Sequence, residues 1–276
     1  MSDFLNEMAR SSAERVEQAR ARHDDGKIMQ FAEVSAPPQK LRLHRRFSVI
    51  AEIKASSPSE GALAAADLDR ADVAELYASH GASAVSVLTE PERFSGALEH
   101  LATVASVLHG SGVPAMRKDF LVDPYQVAEA RIAGAGGVLL IVAMLSDEVL
   151  ERMLATAIAL DLFVLIECFD ADDLTRASRF MDAENVVNHL IAGQILLGIN
   201  TRDLRTLAVD TGRLEALAPS LPRDIPVIAE SGLKVAEDAQ RVAAWGYRGA
   251  LVGTALMRAE TPGVLLQSMI SQGRSV

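Results

Sequence analysis

The sequence predicts an α/β protein, a (β/α)8 (TIM) barrel preceded by an N-terminal helical extension. Eight short apolar runs recur along the chain, each followed by an amphipathic stretch. An open doubly wound sheet typically uses five or six strands, whereas a closed α/β barrel needs eight. Most of the runs are continuous and rich in Val, Ile and Leu, as parallel strands covered on both faces are. A length of 276 residues suits one barrel of about 250 residues and an extension better than two ordinary domains.

The elements follow in order. Residues 1–46 are expected to form the extension and a linker, and residues 47–276 the catalytic barrel. Leu5, Met8, Ala13 and Val16 fall near helical spacing after Ser2, an N-cap residue type. The stretch from 14 to 27 is otherwise mostly charged, and Pro37-Pro38 stops any helix. The candidate strands are 48–54, 84–89, 114–118, 137–142, 163–167, 195–200, 225–230 and 249–253. After the second, Leu98, Leu101, Val104 and Leu108 keep helical spacing, with Gly110 as the expected C-cap. After the fourth come Val149, Leu150, Met153, Leu154, Ala157 and Ile158. After the seventh, 235–245 ends at Gly246.

Composition excludes several function classes. Lys plus Arg is 27 and Asp plus Glu is 37, a formal net charge of −10 without any basic block. Such a chain is unsuited to nucleic acid or an anionic membrane. No apolar run reaches the roughly 18 residues that span a bilayer. The start, Met1-Ser2-Asp3-Phe4, lacks the basic-then-apolar order of a signal peptide. One cysteine, Cys168, leaves no internal disulfide and no multi-cysteine metal site. A cytoplasmic location is expected.

In a barrel of this type the chemistry sits at the C-terminal ends of the strands. The first candidate strand closes as Ala51-Glu52-Ile53-Lys54, which puts Glu52 and Lys54 on one face. Turned inward, they place an acid and an amine at the mouth, although a structural ion pair fits the same pattern. The third ends Arg117-Lys118-Asp119-Phe120, setting an amine beside an aromatic ring, a general acid suited to an unsaturated substrate. The fifth is apolar up to Glu167, whose carboxylate should be desolvated and its pKa pushed up, with Lys118 and Lys54 pulling the other way. The sixth ends with Asn200 and Arg202, an amide and a guanidinium suited to an anion.

The last two strands end in Ala229-Glu230-Ser231-Gly232 and Val252-Gly253-Thr254. Small residues there are where this fold commonly binds phosphate through backbone N–H groups. Ser57-Pro58-Ser59 and Gly61 add further donors after the first strand. Cys168 has no nearby His partner and reads as a packing residue. None of the six histidines lies at a strand end, and no paired ligand spacing appears, so no metal is expected. No G-x-G-x-x-G follows a strand, so a dinucleotide is not expected either.

Ordered along the chain, Glu52-Ile53-Lys54 with Ser57-Pro58-Ser59, Ser86-Val87-Leu88-Thr89-Glu90, and Arg117-Lys118-Asp119-Phe120 with Asp123-Pro124-Tyr125-Gln126 resemble indole-3-glycerol-phosphate synthase. So do Leu165-Ile166-Glu167, Gly198-Ile199-Asn200-Thr201-Arg202-Asp203-Leu204, Ala229-Glu230-Ser231-Gly232 and the stretch 253–258. The resemblance covers about 49–262. It implies ring closure in tryptophan biosynthesis: 1-(2-carboxyphenylamino)-1-deoxyribulose 5-phosphate becomes indole-3-glycerol phosphate, CO2 and water, with no cofactor. On that resemblance Lys118 is the general acid at the ribulose carbonyl and Glu167 the acid/base partner in dehydration. Glu52, Lys54 and Asn200 orient the intermediate, and Phe94, Phe120 and Leu251 enclose the aryl ring. Arg202, Ser231, Gly232, Gly253 and Thr254 hold the phosphate region, with Ser57 and Glu230 completing the substrate-binding set. The phosphorylated substrate is the expected partner, and association with other enzymes of the pathway is compatible with the family.

The chain departs from the family in three places, the first being the N-terminal forty residues, which match only weakly. It has Ala55 and Glu60 where basic residues are frequent, and the segment between Glu167 and Asn200 is longer than usual around 181–192. Alternative readings are a phosphoribosylanthranilate isomerase, a paralogue acting on a substituted anthranilate adduct for a specialised product, and a non-catalytic barrel. The isomerase family uses a cysteine at the first strand, where this chain has Glu52 and Lys54. A non-catalytic scaffold predicts eroded strand ends, and these are filled.

Overall fold

In a computed structural model of the chain, describing residues 3–57, 61–62, 68–181, 184–205 and 208–276, eight parallel strands close into a barrel in chain order. They are β1 Ser48–Ile53, β2 Ala84–Leu88, β3 Ala115–Lys118, β4 Gly137–Ile141, β5 Phe163–Cys168, β6 Ile195–Asn200, β7 Val227–Glu230 and β8 Gly249–Val252. Each boundary lies within two residues of its sequence expectation. β1 closes the ring by pairing with both β2 and β8. Nearly every strand residue is buried, and the exception, Lys118, has a side chain only 15% exposed. That is the pattern of strands packed between a filled interior and an outer layer of helices. Cys168 is buried on β5, and burial pushes its thiol well above the usual range, an inert packing residue.

The extension is two helices, α1 Asp3–Arg20 and α2 Asp25–Val34. The N-cap expected at Ser2 lies outside the described residues. On α1 the buried stripe is Leu5, Met8, Ser12 and Val16. Ala13 faces outward, contrary to the sequence expectation. Ser12 takes the buried place because its hydroxyl accepts a 2.8 Å hydrogen bond from the Gln126 side chain. α2 begins at the Asp24 cap, which accepts from the Lys27 N–H, and packs against the barrel helix Pro124–Ile132.

The chain then runs to the N-terminal end of the barrel. Gln39 donates to the Leu108 carbonyl, and Gln194 hydrogen-bonds both the N–H and the carbonyl of Leu41. The linker is therefore an ordered strap. It carries the chain from α1, on the C-terminal face, to the start of β1.

Two helix ends shift from expectation. The helix after β2, Leu98–Val107, is capped at Leu108, and Gly110 lies two residues further on in a turn. Between β5 and β6 the additional length makes a second helix, Glu184–Ile191, after Ala171–Ser178. The helices Asp147–Ala159 and Ala236–Ala244 occupy the expected stretches, the latter followed by Gly246 at φ +97°. A short antiparallel ladder, Ser56–Ser57 against Gly61–Ala62, follows β1 and has no counterpart in the sequence reading.

Candidate active site

At the C-terminal face the strand ends surround a cavity of about 860 Å³. Strand alternation aims Glu52 and Lys54 of β1 and its exit into it, along with Lys118 from β3 and Asn200 from β6. Parallel register sets Asn200 beside Glu230, and Glu230 beside Leu251 on β8. Phe94, Phe120, Arg202, Glu230, Ser231, Gly232, Leu251, Gly253 and Thr254 all line the same space. Glu167 lies beneath, fully buried, within reach of Lys118. The Ser57 side chain, like Pro58, Ser59 and Glu60, lies outside the described residues.

The floor is a charge cluster. Lys54 Nζ sits 2.9 Å from Glu52 Oε1, and Lys118 Nζ is 3.9 Å from Glu52 Oε2 and 3.6 Å from Glu167 Oε2. Lys118 is thus one ammonium between two buried carboxylates. Burial alone would lower its pKa, but Glu167 and Glu52 outweigh burial and hold it above the usual lysine value. Burial would raise Glu52, and the adjacent Lys54 and Lys118 reverse that, keeping it ionised.

Glu230 has the opposite fate. Burial and the neighbouring Glu167 carboxylate raise it well above the usual range, so it keeps its proton. Lys118 is too thinly shared to offset both.

Two glycines make room for these carboxylates. A Cβ at Gly198 would lie 1.9 Å from Glu230 Oε1, and one at Gly253 would lie 2.3 Å from Glu52 Oε1. The side-chain space on β6 and after β8 is occupied by glutamates from adjacent strands.

The cavity has two chemically distinct ends. At one, Phe94 and Phe120 lie with ring centroids 5.9 Å apart, and Phe4 of α1 meets Phe120 edge-on at 5.8 Å. Phe94 is held there by Glu90, whose carboxylate caps the helix Pro91–Phe94 by accepting three backbone N–H groups. At the other end, Ser231 and Gly232 are both at positive φ, 65° and 82°, in the turn after β7. Asn200 Oδ1 accepts the Arg202 N–H at 2.9 Å, leaving the amide NH2 as the end offered to the cavity. Arg202 is half-buried on the same rim.

Asp119, between Lys118 and Phe120, borders the cavity, yet its carboxylate is fully buried. Its carboxylate accepts two bonds from Arg15 at 2.9 Å each, one from Thr89 at 2.8 Å, one from Arg117 at 3.2 Å and one from the Phe120 N–H at 2.8 Å. Burial would raise its pKa, yet Arg15 and Arg117 bring it down to about 2. Because the folded value lies below the unfolded one, near 3.9, the resulting stability is present at neutral pH and lost as pH falls towards 2. Its size is roughly 2–3 kcal/mol. In urea unfolding, the stability gap between wild type and Asp119→Asn should narrow as pH falls from about 5 to about 3. A gap constant over that range rejects the assignment.

Comparison with known proteins places this geometry in context. A family model described as indole-3-glycerol phosphate synthase matches residues 5–268. The chain belongs to the indole-3-glycerol phosphate synthase family. It is 40% identical over 269 residues to the indole-3-glycerol phosphate synthase of Roseiflexus sp. (strain RS-1), spanning 94% of this chain and 95% of that one. To the proteins of the same name from Acidithiobacillus ferrooxidans and Salinibacter ruber it is 37% and 40% identical, covering 98% and 84% of this chain and 99% and 80% of theirs. Among solved structures it is similar to 3-hexulose-6-phosphate synthase from Salmonella typhimurium, with a TM-score of 0.60 and 14% identity over 83% of this chain and 98% of that one. At that identity the likeness concerns the fold alone.

Within this synthase-family barrel, sequence reasoning missed Phe4, Lys234 and Arg258, which also line the cavity. Arg15, tied to Asp119, was missed as well. Lys234 follows a noticed motif and Arg258 ends the quoted stretch 253–258, so their nearness to a strand end was a usable signal. Phe4 and Arg15 lie about a hundred residues from the strand end they meet, and local pattern carries no trace of that contact.

Proposed function

We propose that the chain converts 1-(2-carboxyphenylamino)-1-deoxyribulose 5-phosphate to indole-3-glycerol phosphate, CO2 and water. The observation that carries this reading is Lys118 Nζ held between Glu52 and Glu167, with an aromatic wall at one end of the cavity and a small-residue turn at the other. The Lys118 ammonium protonates the ribulose carbonyl, which makes that carbon electrophilic. The ring carbon bearing the carboxylate attacks it, and loss of CO2 restores aromaticity. Water then leaves, and Glu167 exchanges the protons that this dehydration requires. Glu52 and Lys54, locked together at 2.9 Å, orient the intermediate with the Asn200 amide.

The aryl ring is enclosed by Phe94, Phe120 and Leu251, and Glu230 contacts the substrate as a neutral acid. Arg202 and the backbone at Ser231-Gly232 and Gly253-Thr254 receive the phosphate, with Ser57 adding a hydroxyl. The test is incubation of the purified chain with the carboxyphenylamino-deoxyribulose phosphate, followed by indole fluorescence. Absence of an indole product overturns the proposal.

Arg202→Ala should act on binding. Loss of a charge-assisted hydrogen bond predicts a KM raised roughly tenfold or more, with kcat little changed. Steady-state kinetics checks this, and an unchanged KM removes Arg202 from the phosphate site. Cytoplasmic residence accords with the single buried Cys168, which suits a reducing compartment. No helix among the described residues is long and apolar enough to cross a membrane. Association with other enzymes of the pathway is the remaining part of the proposal, tested by co-elution in gel filtration.

A further inference from the structure

We propose that Arg15, on the N-terminal helix, is a positioning residue that sets Lys118 and Phe120 by acting through Asp119. The inference rests on the function proposed above. Residues 118–120 all border the cavity, but the Asp119 carboxylate is fully buried and enclosed by donors from Arg15, Thr89 and Arg117. Its two oxygens carry about four lone-pair sites, and five donors converge on them. Thr89 and Arg117 come from the barrel, and the Phe120 N–H belongs to the segment itself. Only the Arg15 guanidinium reaches in from another layer of the fold, and it does so with both Nη atoms at 2.9 Å.

A two-pronged contact fixes the plane of a carboxylate, where a single bond leaves it free to rotate. That plane in turn fixes the Phe120 N–H, bonded to Oδ1 at 2.8 Å, and so the backbone that carries Lys118. The ammonium works in a narrow space, 3.6 Å from one carboxylate and 3.9 Å from another. A displacement of about 1 Å at such a group costs up to a hundredfold in rate.

α1 offers its own control. Arg20, five residues further along, also holds a carboxylate, its Nη2 donating to both oxygens of Asp123 at 2.9 Å. Asp123 lies beyond the cavity-lining residues of this segment and caps the helix Pro124–Ile132. Arg20 therefore holds the same helix to the same segment without touching the Lys118 backbone. A structural clip makes the two arginines equivalent; a positioning role separates them.

The experiment is steady-state kinetics and urea unfolding on the full chain with Arg15→Ala, Arg15→Lys and Arg20→Ala, using the carboxyphenylamino-deoxyribulose phosphate. Arg15→Ala should lower kcat roughly tenfold while KM changes by less than about threefold. Arg15→Lys, which cannot make the planar fork, should fall between it and wild type. Millimolar guanidinium ion should restore part of the kcat of Arg15→Ala. Arg20→Ala should lose stability and keep kcat. An active wild type with unchanged kcat in Arg15→Ala overturns the positioning role alone. Equal kcat losses in the two alanine variants, or no rescue by guanidinium, overturn it too. A wild type that forms no indole overturns the proposed function, and the positioning role with it.

Discussion

Replacing Lys118 by alanine is expected to reduce turnover by roughly a hundredfold or more, the usual contribution of a placed general acid, while the chain still folds. The fold should survive because Lys118 sits at the C-terminal end of β3 in the cavity wall, above the apolar layers of the barrel interior. Glu52 also keeps Lys54 at 2.9 Å when Lys118 is gone. Glu167 loses the cation 3.6 Å away, which leaves a buried carboxylate without that partner. Lys118→Arg separates charge from proton transfer, since a guanidinium retains the charge and does not release its proton near neutral pH. Both variants should therefore be nearly inactive. Single-turnover assays by indole fluorescence, with circular dichroism to verify folding, measure this. Substantial activity in Lys118→Arg would mean that a fixed positive charge suffices and that Lys118 is not the proton donor.

Glu167→Gln is expected to separate the two halves of the reaction. Glutamine keeps the shape and hydrogen-bonding capacity of the side chain but cannot exchange a proton. Turnover should drop by roughly a hundredfold or more, KM should stay close to wild type, and the intermediate that has lost CO2 but not water should accumulate. Quenched-flow samples read by mass spectrometry detect that species directly. Loss of affinity in proportion to turnover would instead identify Glu167 as a binding group. Removal of a charge beside Glu230 also relieves the like-charge contact that helps keep Glu230 protonated. The pH dependence of the residual activity should therefore differ from wild type.

The barrel was legible because its signal is local. Eight apolar runs, five of them ending in charged or amide residues, need no knowledge of distant contacts, and β6 at Ile195–Asn200 matched its expected range at both ends. Alternation likewise paired Glu52 with Lys54 and Lys118 with Phe120 before their surroundings were known. What depends on three-dimensional register was not legible. That Glu230 and Glu167 crowd each other follows from β5, β6 and β7 being adjacent, with Glu167 level with Gly198 and Asn200 level with Glu230. Burial of Ser12 rather than Ala13 depends on one hydrogen bond to Gln126, more than a hundred residues away. The placement of α1 over the β3 exit, with Phe4 in the cavity wall, is of the same kind.

Gly198 and Gly253 constrain how this barrel mouth can evolve. Neither position can acquire a side chain while Glu230 and Glu52 keep their length and place, since the new methyl would overlap a carboxylate oxygen. Each glycine is thus tied to one acid, and a change at either member alone is worse than the two together. A descendant that adopts a different substrate must shorten or lose the acid first and fill the vacated space afterwards. The reverse order creates a steric clash before it creates any benefit. On this scaffold the floor of the cavity is constrained by geometry as well as by chemistry.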